Sequence, residues 1–176
     1  MLASRCGFID GVVVTGGEPT VYPGLVDLIT EIKRLGFRVK LDTNGYRPET
    51  LSLLISTEAP DFIAMDIKTS WGKYEQATGV RVDIKRIQES IEIIKKSGIE
   101  HEFRTTCVPM MVDGGDIEEI SRIVGGSGLY TLQQFQPENT LDPGYAGVIP
   151  YRRETLMEFL ETARKNTTPC RLIGLK

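Results

Sequence analysis

The chain has 176 residues, three cysteines, one histidine and a net charge of −3. This length suits one domain and lies below the roughly 200 residues of the smallest complete (β/α)₈ barrels. The negative charge argues against a general binder of nucleic acid or anionic membranes, which would present a basic surface. No run approaches the roughly 18 apolar residues of a membrane span, and residues 1–11 contain no signal-peptide core. We therefore expect a soluble, cytoplasmic protein.

Short apolar runs alternate with amphipathic helical patterns along the whole chain. The largely apolar residues 11–15 predict a buried strand that ends at two glycines, and residues 83–96 carry isoleucines at helical spacing. This alternation is typical of βαβ units and a parallel sheet, which is either an open doubly wound sheet or an incomplete barrel. The predicted strands are residues 11–15, 37–41, 62–67, 102–108, 129–135 and a short sixth run at 171–174.

The three cysteines are too few and too scattered for a disulfide framework or a metal site. They are Cys6, Cys107 and Cys170, whereas metal-binding cysteines recur at close spacing. We expect reduced, apolar side chains, with Cys6 the one that could be exposed because it lies near the terminus. His101 reads as a partly exposed strand residue.

Polar and charged residues gather at the predicted carboxyl ends of the strands, where α/β proteins place their binding sites. A packed barrel interior would carry Val, Ile and Leu, so charged strand faces favour a partial barrel around a cavity that holds a polar ligand. The alternative is that these are ordinary turn and cap residues, a role that suits Asp and Asn. The strand-end residues are Gly16, Gly17, Glu18 and Pro19, then Asp42, Thr43, Asn44 and Gly45, then Asp66 and Lys68, then Arg104 and Thr106, and finally Gln133, Gln134 and Gln136.

The first of these strand ends is the most specific. Two consecutive glycines allow a ligand to approach the backbone, whose N–H and C=O groups then become contacts. Glu18 offers a carboxylate to an ammonium group, and Pro19 stiffens the turn. This segment lies after an apolar strand and before an amphipathic helix, and that context makes it a more specific sign of a ligand-binding turn.

At this point the residues resemble a known family. Residues 14–20 (VTGGEPT) resemble the GGEP segment of the radical S-adenosylmethionine (SAM) enzymes, and residues 41–45 (LDTNG) and 65–68 (MDIK) resemble two further signatures of the glycyl-radical-enzyme activases. Residues 132–137 and 141–143 are similar to the anaerobic ribonucleoside-triphosphate reductase activating proteins, which are related to pyruvate formate-lyase activating enzyme. The resemblance runs from about residue 7 to the C-terminus.

The resemblance implies a role for each matching residue. It implies that Gly16, Gly17 and Glu18, with Pro19 in the same segment, hold the amino group of SAM. Beside the cofactor it places Thr43 and Asn44, with Lys68 near the SAM carboxylate and Arg104 on the corresponding family strand. Asp42 and Asp66 resemble a carboxylate pair that holds a monovalent cation, and such a pair needs that cation or Lys68 to stay ionised. Gln136 replaces a histidine of the pyruvate formate-lyase activator, so the adenosine contact there differs.

The implied chemistry is reductive cleavage of SAM by a [4Fe–4S] cluster, with electrons from a flavodoxin-type reductant. The resulting 5′-deoxyadenosyl radical removes a hydrogen atom from a glycine of a partner enzyme. The family binds its cluster through C-x₃-C-x₂-C, a motif that occurs nowhere in this sequence. We therefore expect a partial barrel whose first βα unit is missing, the C-terminal part of an activase, which by itself neither binds a cluster nor cleaves SAM.

Two other functions are alternatives to an activase, and the missing first strand has one further consequence. A radical enzyme of the same fold could act on a small molecule, although it would need an additional C-terminal domain. A cluster-free module could bind SAM or a phosphorylated metabolite. Without a first strand, residues 12–14 would form an apolar edge, which predicts self-association.

Overall fold

The computed structural model describes residues 7–126, 128–140 and 142–175. Within these ranges each predicted strand is confirmed, with its ends shifted by at most two residues. The strands are β1 (Gly11–Val14), β2 (Arg38–Thr43), β3 (Phe62–Asp66), β4 (Glu100–Cys107), β5 (Leu129–Gln134) and β6 (Cys170–Ile173). The helices are α1 (Leu25–Arg34), α2 (Pro48–Ser56), α3 (Tyr74–Thr78), α4 (Ile84–Lys96), α5 (Gly114–Val124) and α6 (Arg153–Arg164).

The strands belong to one sheet in which they follow chain order from β1 to β6. The neighbours β1–β2, β2–β3 and β5–β6 pair in parallel, for example with Val14 opposite Leu41 and Thr43 opposite Met65. Sequential order has no point at which the strand order reverses, whereas doubly wound sheets contain one. Among the residues that the structure describes, the sheet is not closed, so the expected α/β partial barrel is confirmed.

Packing divides the chain into two compact units, Met1–Asp66 with Asp83–Glu102 and Ile67–Val82 with Phe103–Lys176. In the first unit, the buried residues of α1 and α4 recur every three or four positions, the spacing that places them on one helix face. In the second unit, α5 and α6 pack on each other, and α6 packs on β6. The buried residues of these helices are Leu25, Ile29 and Ile32 in α1, Ile87, Ile91 and Ile94 in α4, Ile117, Ile120 and Val124 in α5, and Leu156, Phe159 and Leu160 in α6.

The first strand is less buried than its sequence predicted. Val13 is 53% exposed, and Val12 and Val14 are half-buried, so the expectation of a buried strand is wrong for the described residues. The physical reason is position, because β1 lies at one end of the strand order with only β2 beside it among those residues. Within the described ranges, no helix combines the length and apolarity that crossing a bilayer requires.

Candidate functional site

The turn that follows β1 exposes its backbone. Gly16 has φ +128°, a conformation that side chains disfavour, and both Gly16 and Gly17 are exposed. A Cβ atom added at either glycine would meet no other atom within 4 Å. Open space therefore lies over this backbone, as a ligand that contacts the peptide groups would require.

The Glu18 carboxylate, which comes next, accepts four hydrogen bonds. Its Oε1 accepts from the Thr20 N–H (3.1 Å), the Thr20 hydroxyl (2.5 Å) and the Thr43 hydroxyl (2.7 Å). Its Oε2 accepts from the Asn44 N–H at 2.6 Å. Because Thr43 ends β2 and Asn44 follows it, one carboxylate ties the carboxyl ends of β1 and β2 together. Pro19 begins the 3₁₀ turn Pro19–Val21, which Glu18 caps.

The loop after β2 is held by hydrogen bonds from its backbone N–H groups to its own side chains. The Thr43 hydroxyl accepts from the Gly45 N–H (3.1 Å), and the Asn44 side-chain oxygen accepts from the Tyr46 N–H (2.9 Å). Gly45 has φ +74°, and a Cβ atom there would lie 2.1 Å from Cε of Met65. A larger residue here would be strained at positive φ and would have to displace the buried Met65 side chain, which explains the Asn-Gly pair in the sequence.

The polar face of β2 carries charges, and the ion pairs on it were not predicted. Lys40 Nζ lies 3.0 Å from Glu102 Oε1 and 3.7 Å from Asp42 Oδ1. The Glu102 side chain is only 3% exposed, so Lys40 neutralises a buried carboxylate as well as facing Asp42. Lys40 also lies over the Phe62 ring at 5.3 Å. A cationic partner of Asp42 is therefore Lys40, on its own strand, and the suggested role of Lys68 stays a prediction.

Asp42 and Asp66 lie on the same face of neighbouring strands. Asp42 is opposite Ala64 in the register, and Asp66 is two residues further along β3. This offset separates their Cα atoms by roughly 8 Å if the strands are regular. No cluster of three or more potential metal-binding side chains was found among the described residues. A cation between the two aspartates stays a prediction.

Three predicted site residues lie in the second unit, so their relation to Glu18 and Thr43 stays a prediction. Lys68 follows the end of β3, its side chain is exposed, and its N–H donates to the Tyr74 hydroxyl at 3.4 Å. Arg104 is half-buried in β4 between buried neighbours, which places it on the opposite strand face from them. Gln136 is half-buried and comes immediately before the 3₁₀ turn Pro137–Asn139.

The segment that follows Lys68 is fixed by a network that sequence reasoning missed. Lys73 Nζ lies 2.7 Å from carboxylate oxygens of both Asp113 and Asp116, and the Ser70 hydroxyl donates to Asp116 at 2.5 Å. The Lys73 hydrogen bond lowers the pKa of the Asp113 carboxyl, and the hydrogen bonds to Asp113 and Asp116 raise the pKa of Lys73. The sequence signal was the capping box at Asp113 and Asp116, which begins α5.

The two described cysteines do not form a metal site. Cys107 and Cys170 are buried and free, in β4 and β6. Burial raises the pKa of the Cys107 thiol to about 12 and that of Cys170 to about 11, so both stay protonated at neutral pH. Their predicted reduced, apolar character is confirmed, and so is the half-buried strand position of His101. Cys6 and Leu141, which belong to sequence predictions, lie outside the described residues.

The sequence matches one protein-family model over most of its length. The model of the radical SAM superfamily matches residues 2–125. The chain belongs to the radical SAM superfamily. A Methanocaldococcus jannaschii protein named as a glycyl-radical enzyme activating enzyme is 34% identical over 163 residues, which cover 90% of this chain and 68% of that protein.

Solved structures of other proteins share the fold. A domain of pyruvate-formate lyase-activating enzyme from Bacteroides vulgatus superposes with a TM-score of 0.74 at 15% identity, covering 94% of this chain and all of that one. Streptococcus suis SuiB bound to S-adenosylmethionine superposes with a TM-score of 0.66 at 15% identity, covering 93% of this chain and 38% of SuiB. At these identities the likeness concerns the fold alone.

Proposed function

We propose that this radical SAM protein supplies the SAM-binding residues of an activating enzyme, whose reaction generates a glycyl radical on a partner enzyme. The observation that carries the proposal is the Glu18 carboxylate, which ties the ends of two parallel strands together beside two exposed glycines. The M. jannaschii relative, named as a glycyl-radical enzyme activating enzyme, supports the choice of reaction.

The residues of the first unit fit the amino acid end of SAM. Gly16 and Gly17 are exposed, so their carbonyl groups are candidate acceptors for the SAM ammonium, and Glu18 supplies a negative charge next to them in the chain. Because Glu18 already accepts four hydrogen bonds, it acts mainly by orienting the backbone and through its negative charge. Thr43 and Asn44 line the same strand ends.

Other SAM contacts are proposed from the resemblance. Lys68 and Arg104 are cations able to take the SAM carboxylate, and Gln136 is a neutral hydrogen-bonding residue able to contact adenosine. Asp42 and Asp66 would hold a monovalent cation near the carboxylate. When bound and reduced by one electron from a [4Fe–4S] cluster, SAM would supply the radical that removes a hydrogen atom from the partner's glycine. The residues of this chain would bind and orient SAM and exclude water.

An iron–sulfur cluster does not fit the cysteines of this chain. Cys107 and Cys170 are buried in separate strands, and the sequence contains no C-x₃-C-x₂-C. The proposal for these 176 residues therefore ends at binding and orienting SAM. We expect anaerobic reconstitution with iron and sulfide to give no reducible [4Fe–4S] signal in electron paramagnetic resonance, and such a signal would contradict that limit.

Titration of ¹⁵N-labelled protein with millimolar SAM tests the site. We expect weak binding, with the largest amide shifts at Gly16, Gly17 and Asn44. Glu18→Gln should reduce the affinity, whereas Glu31→Gln, at an exposed ion pair on α1, should not. The absence of shifts at both glycines would reject the proposed site.

The partner is proposed as an anaerobic ribonucleotide reductase, with an enzyme of the pyruvate formate-lyase type as the other candidate. The preference rests on residues 132–137 and 141–143, which resemble the reductase activators. Surface plasmon resonance with both purified enzymes should give stronger binding to the reductase. Preferential binding of the lyase would reverse the assignment.

A cluster-free module that binds SAM or a phosphorylated metabolite is the second candidate, because the sequence lacks the three clustered cysteines. The two candidates differ in their response to the partner enzyme. A module of this kind should bind SAM but neither partner, whereas an activase should bind both SAM and a partner.

A further inference from the structure

Helix α4 contacts the loop after β2 at backbone groups that Glu18 does not bind. Ser90 is fully buried on α4, and its hydroxyl donates to the Gly45 carbonyl oxygen at 2.6 Å. A buried carbonyl that loses its donor carries a desolvation penalty, so this contact fixes the direction of the Gly45 peptide.

Arg86 makes a second attachment, one helical turn before Ser90. Its Nε donates to the Tyr46 carbonyl oxygen at 2.9 Å, and its Nη2 lies 2.6 and 2.7 Å from the two carboxylate oxygens of Glu49. The guanidinium also lies 5.3 Å from the centre of the Tyr46 ring. A planar guanidinium can satisfy these partners together, which a lysine ammonium cannot.

The loop is therefore held through both kinds of backbone group. Glu18 and the Thr43 hydroxyl accept from the Asn44 and Gly45 N–H groups, while Ser90 and Arg86 donate to the carbonyl groups of residues 45 and 46. The left-handed conformation of Gly45 has few alternatives that keep all four contacts. A change on α4 is thereby transmitted to the Asn44 amide that contacts Glu18.

We propose that Ser90 and Arg86 are positioning residues for the SAM site, which they serve by holding the loop of residues 43–46 against Glu18. The proposal rests on the proposed function, because it assigns SAM to that loop. Neither residue needs to touch SAM. Both lie forty or more residues from the loop in sequence, and no motif marks them.

The test compares Ser90→Ala with Ile94→Val, a control on the same helix. Ile94 is fully buried and makes no hydrogen bond to the loop, so its truncation lowers Tm by loss of packing alone. The measurements are amide hydrogen exchange at residues 44–46, SAM affinity by NMR titration, and Tm. Arg86→Lys is a second variant, which keeps the charge but not the planar geometry.

We expect Ser90→Ala to speed exchange at residues 44–46 and weaken SAM binding, each by about tenfold, as the loss of one net hydrogen bond allows. Arg86→Lys should change both in the same direction. Ile94→Val should lower Tm without changing either quantity.

The outcomes separate this proposal from the proposed function. Exchange and affinity in Ser90→Ala that match those of Ile94→Val would overturn the positioning role. Faster exchange with undiminished SAM affinity would also overturn it, while leaving the proposed function in place. If the unmodified chain binds no SAM, the proposed function fails and the assignment of Ser90 to a SAM site fails with it.

Discussion

Replacing Glu18 with glutamine tests the central feature of the site. Glutamine has one acceptor oxygen, so it can keep the three hydrogen bonds now made to Oε1 from Thr20 and Thr43. Its NH₂ group then faces the Asn44 N–H, which donates to Oε2 at 2.6 Å in the present structure. The substitution therefore removes one charge-assisted hydrogen bond, places two donors against each other and weakens the three remaining bonds.

The substitution should lower the free energy of unfolding by about 2–3 kcal/mol. This combines the loss of a hydrogen bond to a charged group with the cost of an unpaired donor, and it is less than the full sum of the two because Glu18 is only half-buried. This corresponds to a decrease of roughly 5–10 °C in Tm for a chain of this length. Urea denaturation followed by circular dichroism measures the free energy, and amide exchange at Asn44 reports the local effect.

The matched control is Glu31→Gln, which removes a charge from an exposed pair with Arg34 on α1. We expect that substitution to cost less than about 0.5 kcal/mol. If Glu18→Gln costs no more than the control, the carboxylate does not tie β1 to β2, and the reasoning behind the site is wrong.

Three further predictions concern other parts of the molecule. Gly45→Ala should cost more than about 2 kcal/mol, measured by urea denaturation, because the new Cβ meets Met65 at 2.1 Å and φ is positive; a neutral effect would contradict this. The pKa of Asp113 is lowered in the folded state, so its ion pair stabilises the fold above the ordinary pKa of about 3.9, and this stabilisation is lost as pH falls through the lowered pKa. The pKa of Lys73 is raised, so the stabilisation from its charge is lost only in strong alkali. Below about pH 4, the Tm of the unmodified protein should therefore fall more steeply with decreasing pH than the Tm of Lys73→Met. Identical dependences of Tm on pH in the two proteins would contradict a stabilising ion pair between Lys73 and Asp113. Self-association through β1 should increase the sedimentation coefficient with concentration, and Val13→Lys should suppress the increase; a monomer at every concentration would contradict it.

Local patterns in the sequence predicted the elements well because each depends on neighbouring residues. The isoleucines of α4 recur at helical spacing, and Asp83 caps the helix through the Lys85 N–H. The strand at residues 62–66 is mostly apolar and ends at Asp66, one residue before the predicted end. The segment of α3 was missed because its five residues carry too short a pattern to identify a helix.

The candidate site was predicted only in part, since its contacts join residues that are distant in the chain. The sequence indicated Glu18, Thr43 and Asn44 separately. It did not indicate that the Glu18 carboxylate accepts from both Thr43 and Asn44, or that Ser90 donates to the Gly45 carbonyl oxygen. Such pairs carry no periodicity and no fixed spacing, so only the fold brings them together.

The charged face of β2 shows the same division. Alternation along the strand placed Arg38, Lys40 and Asp42 on one face, and the structure agrees. The identity of the partner of Lys40 depends on Glu102, which is 62 residues away and reaches it only through strand register. The sequence therefore predicted a charged face but not the ion pair that neutralises it.

The sequence by itself determined the superfamily, the α/β alternation and the identity of the strand-end residues, because these depend on short motifs and local periodicity. The tertiary structure decided that β1 is half-exposed, that Lys40 is the cation beside Asp42, and that Glu18 serves as an acceptor for two strand ends. Burial, ion pairing and hydrogen-bond direction are properties of residues brought together from separate parts of the chain. They are set by strand order and register, which local sequence does not encode.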